Sequence, residues 1–215
     1  MKFLILLLLY FELNTYSQTF FRQEISQSDF RDVTFLQAIQ NLQRKSQDID
    51  KQKLGFNYVF TAKAAKFADK KLTLSLTQLP LSEAIKYTAL SAKLELKFER
   101  NTLIILAPGE KFKEAVIKEQ FVRYDERLLN SLRLECKSVS SNMLDLKDVL
   151  QLIRDESVKS DKNGKSINIL DISGSTAKTL ISLKNTSVYE ALRYTAIAAG
   201  TAMKLDRSAI VFQKK

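Results

Sequence analysis

The chain has no histidine and no tryptophan, and its 215 residues include one cysteine, two prolines and five glycines. Each scarcity excludes something. Without histidine, the side chain that most often serves as general base or transition-metal ligand is missing. Cys136 therefore has no imidazole to activate it as a nucleophile, and it reads as a structural thiol. A lone cysteine forms no intrachain disulfide, which excludes a disulfide-stapled scaffold and leaves the compartment open. So little proline and glycine argues against long disordered or low-complexity segments. No apolar run reaches the roughly 20 residues that a membrane-spanning helix needs.

Hydrophobic residues make up 45% of the chain, enough for one large core or two small ones. Lysine and arginine number 34 against 24 acids, a net charge of +10. A basic chain attracts nucleic acid, anionic lipid and acidic polysaccharide, but the acids are interleaved with the bases almost throughout, as on a solvated surface. The N-terminus carries a compartment signal. Lys2 is followed by nine apolar residues, Phe3 to Phe11, and then by Asn14-Thr15-Tyr16-Ser17. A basic start, a short apolar run and small polar residues predict a secretory signal peptide over residues 1–17. No cysteine lies nearby to carry a lipid anchor. Loss of Lys2 and Glu12 together would leave the net charge unchanged.

The chain repeats itself. Leu81–Ala92 reads LSEAIKYTALSA, and Val188–Ala199, 107 positions on, reads VYEALRYTAIAA. The same offset brings Leu74-Ser75-Leu76 onto Ile181-Ser182-Leu183 and Leu103-Ile104 onto Ile210-Val211. Upstream the offset is 111. There Phe35, Ile39, Gln40 and Leu42 meet Leu146, Leu150, Gln151 and Ile153, and Phe56–Val59 meets Ile167–Leu170. The second repeat is thus four residues shorter in the loop before its third strand. The repeats cover 24–107 and 132–213, with a charged linker over 108–131.

Periodicity assigns the elements. Phe35, Leu36, Ile39 and Leu42, like Leu146, Val149, Leu150 and Ile153, are spaced three and four apart and predict amphipathic helices. Short β-rich runs follow at 56–60 and 167–170. Leu72, Leu74 and Leu76 alternate with polar residues, as in a strand buried on one face. A second helix spans 81–92, with Pro80 and Glu83 suited to its first turn. Ser187 and Glu190 form a capping-box-like pair in the other repeat. Two strands close each unit, 94–99 with 102–106, and 202–206 with 209–212. The predicted fold class is α+β: two tandem modules, each two helices on short mixed sheets in the order β-α-β-β-α-β-β. In the linker, Val116, Ile117, Phe121, Leu128 and Leu129 are candidates to dock on either repeat.

These motifs resemble a known family. Asp29–Val33 leads into Phe35-Leu36-Gln37-Ala38-Ile39, followed by Gly55-Phe56-Asn57-Tyr58-Val59. Leu72–Leu76, Pro80–Ile85, Leu94–Lys97 and Thr102–Ile105 complete the pattern. This is similar to the short N-terminal domain shared by bacterial secretins and TonB-linked receptors and transducers. Repeat two departs from it with Ser187 for the proline and Ser166 for the glycine. The resemblance implies a periplasmic module for protein–protein contact; the residues themselves, without histidine, lead to the expectation of no catalytic residues, metal or cofactor. The chain has no room for a secretin channel or a plug and barrel, so a free-standing pair of modules in the cell envelope is expected.

Candidate sites follow from the same residues. The closing strands, Leu103, Ile104 and Ile105 in one repeat and Ile210, Val211 and Phe212 in the other, are candidate sheet edges for recruiting a partner strand. Lys63, Lys66, Lys70 and Lys71, in the longer loop of repeat one, form a candidate polyanion patch. The alternative function is therefore a basic exported protein that binds nucleic acid or another polyanion. Gly164-Lys165-Ser166 lacks the upstream glycine of a phosphate-binding loop, because Lys159 stands there. Asp171–Thr176 is a plain connection with some capacity to present backbone N–H groups to an anion. Tyr87 and Tyr194 recur at one helical position and suit packing of helix on sheet.

Overall fold

A computed structural model describes residues 21–117 and 124–215. The predicted signal peptide and Phe121 lie outside them. The chain is α+β. The elements run β1 (Glu24–Ile25), β2 (Ser28–Thr34), α1 (Phe35–Ile49), β3 (Asn57–Phe60), β4 (Lys71–Leu76), β5 (Leu79–Pro80), α2 (Leu81–Ala92), β6 (Glu95–Glu99) and β7 (Thr102–Leu106). They continue with β8 (Val116–Ile117), α3 (Glu126–Arg133), β9 (Glu135–Asp145), α4 (Leu146–Ser160), β10 (Ile169–Asp171), β11 (Lys178–Ser187), α5 (Val188–Ala199), β12 (Thr201–Leu205) and β13 (Ile210–Lys214). Two compact units result. Unit 1 holds the described residues up to Phe56 together with Phe67–Leu103; unit 2 holds Asn57–Lys66 and Ile104–Lys215.

Local chemistry explains the helix ends. At α1, Thr34 Oγ1 accepts from Gln37 N at 3.1 Å and Gln37 Oε1 accepts from Thr34 N at 2.9 Å. This reciprocal pair satisfies two N–H groups that the first turn cannot. Ser187 Oγ caps α5 through Glu190 N at 3.2 Å. Both α2 and α5 stop at a left-handed residue, Lys93 (φ 59°) and Gly200 (φ 67°).

In unit 1, β2 pairs antiparallel with β4 and β1 with β5. Phe35, Leu42, Phe56, Ile85 and Leu103 are fully buried there, and Phe21 packs edge-on against Phe98 at 5.2 Å between centroids. In unit 2, β11 lies between β9 and β3, antiparallel to both. A second sheet has the order β10-β13-β12-β8. The core of unit 2 runs from Val59 and Ile104 through Leu150, Ile153 and Leu192 to Phe212. Each such side chain contributes roughly 1.5–3 kcal/mol by leaving water.

The backbone repeats at the two offsets seen in the sequence. β2–β4 and β9–β11 share one register: Phe30 faces Leu74 as Ser141 faces Ile181, and Thr34 faces Lys71 as Asp145 faces Lys178. Left-handed residues recur in pairs, Asp32 with Met143, Lys53 with Gly164, Gln78 with Asn185 and Lys93 with Gly200. The buried Thr88 and Thr195 hydroxyls each donate to the carbonyl four residues back, at 2.8 Å. Ser46 and Ser157 do the same three residues back. These bonds turn polar side chains into satisfied core residues, so the recurring residue types serve packing.

The linker residues fold onto unit 2. Ala115, Leu128 and Leu132 are buried in its core, with Val116 packed against it. Leu129 and Ile117 remain exposed.

Candidate functional site

The two strands expected as sheet edges are interior. β7 lies between β6 and β3 in its sheet, and Leu103, Ile104 and Ile105 are fully buried. β13, carrying Ile210, Val211 and Phe212, is flanked by β12 antiparallel and β10 parallel. Both sides of each strand are occupied within the fold. The cause is non-local: a closing strand reads as outermost in chain order, but β3 and β10 insert beside the closing strands.

β9 is a long open sheet edge of unit 2. Among the described residues nothing pairs beyond it. Lys184 N donates to Asn57 Oδ1 at 2.8 Å, so the Lys184 backbone faces β3. Alternation along an antiparallel ladder then turns Ser182 and Leu180 the same way. Their partners on the β9 side of the ladder are Ser138, Ser140 and Asn142. Those three residues therefore direct their N–H and C=O groups away from the sheet. From Ser138 to Leu144 the strand carries no charge and no proline, the devices that commonly blunt an edge. A bulge at Met143 marks one end of this stretch.

The four lysines of the candidate patch are divided. Lys63 and Lys66 line a cavity of about 750 Å³ in unit 2, together with Lys178, Lys214 and Lys215. No Asp or Glu side chain lines it. Lys178 pairs with Asp145 at 2.8 Å, and burial holds the Lys215 ammonium pKa below its ordinary value. Lys70 and Lys71 belong to unit 1, where their ammonium groups are engaged. Lys70 donates to the Ala92 carbonyl at 2.8 Å and Lys71 to that of Asp32 at 2.9 Å. The Asp171–Thr176 loop reaches the same cavity, but it spends N–H groups internally. Ser173 N donates to Asp171 Oδ1, Ser175 N to Ser173 Oγ and Ala177 N to Ser175 Oγ. Any positive potential there comes from ammonium groups rather than a backbone nest.

Unit 1 carries a mainly apolar groove of about 490 Å³ between α2 and β6, lined by Tyr87, Leu90, Leu94, Leu96 and Phe98 and also by the charged pair Glu83 and Lys86. Leu90 is 70% exposed and Tyr87 44%, whereas Tyr194 is 3% exposed. The two repeated tyrosines thus have opposite environments. Neither a protein-family model nor a curated protein matches this chain. Cys136 is fully buried; burial first, then the Glu156 and Glu135 charges, push its thiol up to about 12. Among the described residues no group of three His, Cys, Asp or Glu side chains is placed to hold a metal. None of their helices is long and apolar enough to cross a membrane.

Proposed function

We propose that the chain is an exported interaction module of the bacterial cell envelope that captures an extended segment of a partner protein along β9. The outward-turned backbone of Ser138, Ser140 and Asn142 carries this reading. A strand added there would gain main-chain hydrogen bonds in alternation, while the exposed serine and asparagine side chains would tolerate varied partners. The apolar N-terminal run and the resemblance to the secretin and TonB short domain support export and an envelope partner.

Ser140→Pro tests it. Proline at this position removes an outward N–H and leaves the ladder to β11 intact. Capture of an envelope protein by the immobilised full chain should fall about tenfold, as expected for losing one or two net hydrogen bonds. Equal capture by Ser140→Pro and wild type would overturn the reading.

The lysine-lined cavity favours a second reading, attraction of a polyanion. Binding to a DNA duplex should weaken as salt rises. Replacing Lys63 and Lys66 by Gln should flatten the slope of log K against log salt by about two. Absence of retention on DNA at low salt would reject it.

A further inference from the structure

The groove of unit 1 has a filled counterpart in the second repeat. At an offset of 107, Tyr87, Leu90 and Leu96 correspond to Tyr194, Ile197 and Met203. In unit 2 those three are buried, at 3%, 3% and 0% exposure. The difference is a covering segment. Ala115 O accepts from Met203 N at 2.7 Å, and β8 runs parallel to β12, with Val116 opposite Met203. Glu114 holds Arg193 on the outer face of α5 with two hydrogen bonds, at 2.9 and 2.7 Å. Burial alone would raise the Glu114 carboxyl pKa, but Arg193 and the Ala115 and Val116 N–H groups hold it below its ordinary value. Leu128 and Leu132 of the amphipathic helix α3 then complete the cover over the core. A carboxylate, a two-residue parallel strand and an amphipathic helix thus seal this surface in unit 2.

Among the described residues nothing fills the equivalent seat in unit 1. Lys86, the counterpart of Arg193, is paired with its own neighbour Glu83 at 2.6 Å. Among the described residues β6 is the last strand of its sheet, so no strand lies beside Leu96 where β8 lies beside Met203. Leu90 stands in water.

We infer that the α2–β6 groove of unit 1 is a docking site for a segment of another protein built like Glu114–Arg133: an acidic residue, a short strand added parallel to β6 at Leu96, and an amphipathic helix whose leucines cover Leu90 and Tyr87. The recognition is that of strand addition with a helix seated in a groove. It extends the interaction reading to a second surface and does not depend on the β9 edge.

The chain supplies its own probe. A labelled synthetic peptide of residues 112–133 is titrated into the full chain and followed by fluorescence anisotropy. Wild type should bind it saturably, and Leu90→Lys should weaken binding at least about tenfold. Leu90 is exposed enough for this change to leave folding intact, which circular dichroism verifies. A peptide with Ile117 replaced by Pro, which loses the N–H that β8 turns toward its neighbour strand, should bind correspondingly worse, and Tyr87→Glu should match Leu90→Lys. Absence of binding, or binding indifferent to both groove substitutions, overturns the inference. Light scattering runs in parallel: a wild-type dimer that Leu90→Lys converts to monomer makes the occupant a second copy and also overturns it. Ser140→Pro should leave peptide binding unchanged, so failure here and failure of the β9 reading are told apart.

Discussion

Gly55→Ala should destabilise unit 1 by about 2–4 kcal/mol in urea unfolding followed by circular dichroism. Two effects add. Gly55 has φ +68°, a left-handed conformation that costs an L side chain on the order of 1 kcal/mol. The greater effect is steric. A Cβ on Gly55 would lie 2.5 Å from Ser46 Oγ, 2.7 Å from Gln47 Cγ and 3.1 Å from the Gln43 carbonyl oxygen. Ser46 Oγ has little freedom to yield, because it donates to Gln43 O at 2.6 Å and accepts from Phe56 N at 3.2 Å. Moving it leaves a fully buried hydroxyl with unmet bonding at the entrance to β3. Gly109→Ala provides the comparison. Its φ is also +68°, but nothing lies within 4 Å of the added carbon, so only the conformational cost of about 1 kcal/mol applies. Equal losses for the two substitutions would show that the Ser46 contact relaxes freely and that no steric cost exists at Gly55.

The same position shows how far the sequence could be read. Gly55 belongs to the motif that carries the family resemblance, and repeat two has Ser166 there. That departure has a local cause. The left-handed residue common to both repeats is two positions earlier, Lys53 and Gly164, so the second loop reaches its strand without a positive φ at Ser166. The helices were legible because their pattern is local: α2 and α5 match the predicted 81–92 and its repeat, and α1 and α4 carry the expected apolar stripes. The strand neighbours were not legible. Alternation identifies a strand and its buried face, but which strand lies beside it is decided across the whole chain. Thus β7 and β13 read as terminal and are interior, and β8 joins β12 from a segment that reads as linker. β9 was nearly silent: Glu135–Asp145 has only Cys136, Val139, Met143 and Leu144 as apolar residues, and its β-branched content is a single valine. Its signal lay in the repeat, since Asp29–Val33 shifted by 111 lands on Ser140–Leu144. The lysine cavity had half a signal, because Lys63 and Lys66 were visible as a cluster while Lys178, Lys214 and Lys215 join them only in three dimensions.

Asp50→Ala and Asp161→Ala should differ by about 2 kcal/mol although the two residues occupy the same position in the repeat. Each follows the last turn of its helix, and each backbone N–H closes that turn at 3.0 Å, onto Ser46 O and Ser157 O. The side chains then diverge. Asp50 is 5% exposed, and its carboxylate accepts three backbone N–H groups, from Gln52 at 3.1 Å, Leu54 at 2.9 Å and Gly55 at 3.1 Å. It organises the whole turn that delivers the chain to β3. Removing it strands the buried Gly55 N–H and the half-buried Leu54 N–H, each at a cost of about 1–3 kcal/mol. The loss expected for Asp50→Ala is therefore about 3 kcal/mol, reduced to about half in Asp50→Asn, which keeps one acceptor oxygen. Asp161 accepts only from Asn163 N, at 2.7 Å, in an exposed turn where water can replace it. Its substitution should cost no more than about 1 kcal/mol. The measurement is the urea midpoint of each variant at constant m-value. Equal shifts would mean that the carboxylate acts in both repeats simply as the residue after a helix, and that the three-fold capture of the Asp50 turn adds nothing to stability.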